Sequence, residues 1–173
     1  MKFPDFSNAP SELLAIDGHC GLLAAWAVLQ FFGKRVEVST IASSCRHTRR
    51  HGVFTVSLAA CLKENGLSVS FHTDPDDSIG GFEAKGYARA RALGLFPEPV
   101  LELSALLSQR RRGRIPIVLF NTDSNLGHFS PLLGSRRGLL KLPLADNELM
   151  PIEEFLVRWS APEILRQCVI AGP

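Results

Sequence analysis

Apolar residues run through positions 18–32 with almost no polar break and stop at Gly33. That pattern predicts a helix buried all round, with the glycine at its C′ position. Over 55–65 the apolar positions are 56, 58, 59 and 62 with Gly66 beyond, which predicts a one-sided helix. A short helix is expected between the two over 39–45, with Ser39 as its cap. Residues 67–72, LSVSFH, alternate and predict a half-buried strand. The acidic, turn-rich stretch 74–81 reads as a mobile loop, and the pattern then stays ambiguous up to a helix expected over 98–112. Strands are expected over 115–120, 128–133, 138–142 and 165–170, with a short helix over 151–159 that has proline in its first turn. Pro131 interrupts the ladder of its strand, so that strand is expected to be bulged or at an edge. Helices first and strands second is the α+β pattern: an N-terminal helical part packed on an antiparallel sheet.

With 173 residues, 46% hydrophobic and 21% charged, the expectation is one domain spanning 1–173 with a real core. No apolar run approaches the roughly 20 residues needed to cross a bilayer, and the first residues lack the apolar stretch of a secretory signal. Four scattered cysteines do not form a disulfide framework, which suits a reducing compartment. The cytoplasm is therefore the expected location, although an effector secreted without a leader would read the same. The net charge is +2, and much of the positive charge sits in two arginine clusters, at 46–51 and 110–114. No aromatics interleave with them, so base stacking has no platform and an acidic protein or peptide partner is favoured over nucleic acid. Cys45, His47 and His51 have zinc-like spacing, but arginines lie among them and no fourth ligand is evident, so neither metal nor cofactor is expected.

The order Cys20, His128, Asp146 carries the chemistry. A thiolate is the better nucleophile where its pKa is lowered, and the start of a buried helix does that. Cys20 lies there, in Asp17-Gly18-His19-Cys20-Gly21. Gly21 would let a substrate carbonyl come close to the backbone, and the Cys20 amide could donate to an oxyanion. His128 follows a polar loop at the mouth of a strand, where a general base is commonly displayed. Asp146 stands on a later turn and could hold the far side of the imidazole. Taken singly, each residue has a bland reading: core thiol, surface histidine, turn aspartate.

The combination resembles the papain-like cysteine peptidases, in the branch that removes double-glycine leaders from bacteriocin precursors. The matching segments are Asp17-Gly18-His19-Cys20-Gly21-Leu22-Leu23-Ala24, Gly52-Val53-Phe54-Thr55-Val56-Ser57-Leu58, Ile115-Pro116-Ile117-Val118-Leu119 leading to Gly127-His128-Phe129, and Pro151-Ile152-Glu153-Glu154-Phe155. The resemblance implies a papain-like fold and a Cys-His-Asp triad of Cys20, His128 and Asp146 acting on a peptide or protein amide. It also implies a glutamine six residues before the cysteine as an oxyanion donor, and this chain has Leu14 there. Asn8, Ser11, Asp17 or His19 could take that part. Two alternatives stay open: a protein glutamine deamidase with the same triad, and a non-catalytic peptide-binding module on the same fold.

Overall fold

The computed structural model describes residues 2–173. Its centre is α2 (Cys20–Phe31), in which every residue except Cys20 and Gln30 is buried. The helix ends as its composition requires, with Gly33 at φ +72° just beyond the last turn. Around it pack α1 (Ser11–Leu14), α3 (Val38–Ser44) and α4 (Thr55–Glu64). The cap of α3 is Glu37 without a side-chain bond, and Ser39 lies inside the helix instead of capping it.

A five-stranded sheet lies against these helices in the order β2 (Pro97–Pro99), β1 (Ser68–Thr73), β8 (Gln167–Gly172), β3 (Ile115–Asn121), β4 (Gly127–Pro131). Four of its strands pair antiparallel, but β2 runs parallel to β1, so the sheet is mixed where an antiparallel one was expected. A separate three-stranded sheet joins β5 (Gly134–Arg136), β6 (Leu139–Lys141) and β7 (Leu149–Pro151). β4 is an edge strand, the position that Pro131 requires.

Strand alternation divides the apolar residues between two clusters. Ile115, Ile117, Val169 and Ala171 join the cluster around α2 and α4. Val118, Phe120, Cys168 and Ile170 join a second cluster with α6 (Leu103–Arg111) and α7 (Ile152–Trp159), in which Phe155 stacks on Trp159 at 5.3 Å between ring centroids. The helix expected over 98–112 begins only at Leu103, because Pro97 and Pro99 hold their neighbourhood extended and it pairs as β2. Residues 81–92 form a further helix, α5 (Gly81–Ala92), and Pro151 precedes α7 as its cap residue. No helix among the described residues is long and apolar enough to cross a membrane.

Candidate active site

Cys20 is the first residue of α2, half-buried and unpaired. Gly18, at φ +67°, turns the chain into the helix, and no side chain caps its first turn. Burial would push the Cys20 thiol up. The hydrogen bond with His128, the Phe129 and Gly21 amides and the charge of His128 outweigh it, so the thiol is held below its ordinary value. The other cysteines differ. Cys45, Cys61 and Cys168 are fully buried; burial pushes Cys168 up to about 12 and Cys45 up as well, while the bond from Cys45 holds Cys61 below its ordinary value.

His128 stands on β4 directly opposite Phe120 of β3, the two rings edge to face at 5.5 Å. Its Nε2–H donates to the Leu144 carbonyl at 2.5 Å. A carbonyl only accepts, so this bond places a proton on Nε2 and leaves Nδ1 of the neutral ring as an acceptor. Burial would lower the His128 pKa, but the bond and charge of Cys20, the Leu144 carbonyl and the charge of Asp146 raise it above the ordinary imidazole value. Asp146 shares a hollow of about 180 Å³ with His128 and acts on it by charge, while the hydrogen bond goes to Leu144. Asp123, five residues before His128, is bound by Arg158 of α7 at 2.8 Å.

The remaining expected residues take other positions. A Cβ on Gly21 would meet Val53 Cβ at 2.9 Å and Phe129 at 3.2 Å, so the glycine lets the start of the helix pack closely. The His19 ring bonds back to the Ile16 carbonyl at 2.7 Å. Asp17 faces outward, its carboxylate on Arg49 at 3.1 Å and its carbonyl accepting from His47 at 2.8 Å. Leu14 is 46% exposed, and Asn8 and Ser11 are exposed as well.

Cys20 opens into a cleft of about 380 Å³ whose walls include Arg49, Arg50, Val53, Leu126, Phe129 and Gln167. One wall is a turn closed by two backbone bonds between Thr48 and Gly52, of 2.9 and 2.8 Å. The bonds from His47 and Arg49 to Asp17 fasten this turn to the segment ahead of Cys20. His47 is thus spent on a carbonyl and Cys45 is buried; no group of three metal-ligating side chains gathers among the described residues. Sequence reasoning found the arginines without placing them at the cleft. It missed the Leu144 carbonyl altogether, since a backbone acceptor has no letter of its own.

No family model matches the chain, and no curated protein matches it. Among solved structures the chain is similar to the peptidase domain of Streptococcus ComA, a bifunctional ABC transporter of a quorum-sensing pathway. The TM-score is 0.59 at 14% identity over 89% of this chain and 90% of that one. It is also similar to a double-glycine motif protease from an AMS/PCAT transporter, solved with its leader peptide, with TM-score 0.54 and 18% identity over 92% of this chain and 86% of that one. The fold is that of the papain-like cysteine peptidases.

Proposed function

We propose that this chain, acting as one domain over residues 1–173, is a thiol-dependent amide hydrolase of the cysteine peptidase type. Cys20 is the nucleophile, His128 the base, and Asp146 a charge that favours the imidazolium. What supports this reading is the placement of Cys20 at the start of α2 and of His128 on β4, which packs on α2, so that the imidazole holds the thiol pKa down and the thiol holds the imidazole pKa up. In the reaction the Cys20 sulfur attacks the amide carbon and His128 passes the thiol proton to the departing nitrogen. Water, deprotonated by His128, then releases the acyl-enzyme. The Cys20 amide, in the uncapped first turn of α2, donates to the oxyanion. With Leu14 in place of a glutamine, the hole lacks the donor expected at that position, an absence worth about 10²–10³ in turnover.

The substrate is a peptide or protein segment. Arg50 walls the cleft beside Arg49, which Asp17 pairs, and no carboxylate lines the cleft, so an acidic segment is favoured. The solved neighbour in complex with a leader peptide is consistent with a peptide in this cleft. The exposed Leu14 favours one second reading, a peptide-binding module that keeps the cleft without turnover. The test is alkylation by iodoacetamide from pH 4 to 9, read at each cysteine by mass spectrometry. Fast modification of Cys20 well below pH 8, slowed in His128→Ala, is expected. Reaction no faster than that of Cys45, Cys61 and Cys168 would overturn the hydrolase reading and leave the binding module.

A further inference from the structure

His128 and Ser130 are two residues apart on β4 and so project from the same face of the strand. Both side chains reach residue 144, which lies in the connection between β6 and β7. The His128 Nε2–H donates to the Leu144 carbonyl at 2.5 Å, and the Leu144 amide donates to Ser130 Oγ at 3.1 Å. Ser130 is fully buried, and its own hydroxyl proton goes to the Pro131 carbonyl at 3.3 Å. One residue of an otherwise irregular connection is thus gripped at both its N–H and its C=O by a single strand. The other charged groups in the hollow, Asp123, Glu154 and Arg158, are bound to one another, with Arg158 at 2.8 Å from Asp123 and 2.9 Å from Glu154. Cys20 and Asp146 are the groups left to act on the ring by charge.

We propose that Ser130 is a positioning residue, holding Leu144 so that its backbone carbonyl, in place of a carboxylate, orients His128 toward Cys20. The proposal rests on the hydrolase reading above and deepens it. The carbonyl performs the orienting part of a triad acid: it fixes the tautomer and accepts from the imidazolium as it forms. It carries no full charge and does not titrate. Asp146, lacking that bond, is then a minor contributor. A buried hydroxyl is the natural anchor here, because a Leu144 amide left without an acceptor would favour a different path for the connection.

Two measurements on the full chain test this. The first is the iodoacetamide rate at Cys20 near pH 6 in the wild type, Ser130→Ala, Ser130→Thr and Asp146→Asn. Ser130→Ala is expected to be slower by about tenfold, the effect of one pK unit on the thiolate population, and Asp146→Asn, which removes a charge but no bond to the ring, is expected to be slowed less. Ser130→Thr, which keeps the hydroxyl oxygen, is expected to recover most of the rate. The second is the nitrogen-15 spectrum of the histidines, which reports the tautomer directly. A protonated Nε2 with a slowly exchanging proton is expected at His128 in the wild type and in Asp146→Asn, and loss of that protection in Ser130→Ala. The proposal is overturned if Asp146→Asn is slowed tenfold or loses the Nε2–H signal, or if Ser130→Ala keeps both. Should Ser130→Ala fail to fold, the Asp146→Asn and Ser130→Thr results still decide. Should wild-type Cys20 prove no more reactive than the buried thiols, the hydrolase reading falls, and the tautomer alone judges the Ser130 clamp.

Discussion

The two walls of the cleft hold their reactive groups by different physics. Cys20 belongs to a helix packed on every side, where Ala24, Ala25 and Ala27 let neighbours come close and Gly21 leaves no room for even one methyl group against Val53 and Phe129. His128 belongs to an edge strand and is directed by a few hydrogen bonds to an irregular connection. The thiol is therefore placed by volume and the imidazole by donors and acceptors. Errors of packing should displace the first, and errors of polarity should misdirect the second. Substitution on either wall separates the two cases.

The largest effect is expected at the reacting groups. Cys20→Ala should reduce peptide hydrolysis to background, and wild-type-like hydrolysis by that variant would remove Cys20 from the chemistry. Trp159→Ala empties a fully buried site beneath the His128 side of the sheet and should cost about 3–5 kcal/mol in urea unfolding. If instead it costs under about 1 kcal/mol, the second cluster does not support the imidazole wall. Gly21→Ala tests the thiol wall. Overpacking against Val53 should cost about 1–3 kcal/mol and slow Cys20 alkylation more than any change at Asp146 does. An unchanged melting temperature would show that the helix start is not confined by volume. Arg50→Gln should have the smallest effect, weakening binding of a glutamate-containing peptide to Cys20→Ala protein by about two- to fivefold at low salt. Raising the salt should erase the difference, and an equal loss for the matched glutamine peptide would show that charge is not what Arg50 contributes.

The pH dependence follows from the two shifts together. The thiol lies below its ordinary value, so the thiolate forms at lower pH than in a free cysteine; the imidazole lies above its own, so its proton persists to higher pH. Hydrolysis should rise as Cys20 ionises and fall once His128 loses its proton. In His128→Ala the thiolate loses its partner, and the alkylation midpoint should move up.

What was legible in the sequence follows the same division. The unbroken apolar run of α2 and the glycine after it announce a buried helix, and Cys20 at its start is visible because helix starts lower thiol pKa values. The edge position of β4 follows from Pro131. By contrast α5 was hidden: its face is largely charged, and Gly86 reads as a breaker where it in fact lets α5 approach Ser57 and Val56, a Cβ there falling 2.9 Å from the Ser57 hydroxyl. The partner of His128 was hidden for a deeper reason. Asp146 has the right chemistry in the right order, but any residue supplies a carbonyl, and only the path of the chain decides which one arrives.

The place of β8 in the sheet has a consequence for how the protein is made. Residues 167–172 lie between β1 and β3, so neither neighbour can join the other until this segment has left the ribosome. Until it does, the sheet exists as two separate pairs, β1 with β2 and β3 with β4, the second of which packs its β4 strand on α2. Such a chain exposes apolar surface while it waits, which makes it a client for chaperones and prone to self-association.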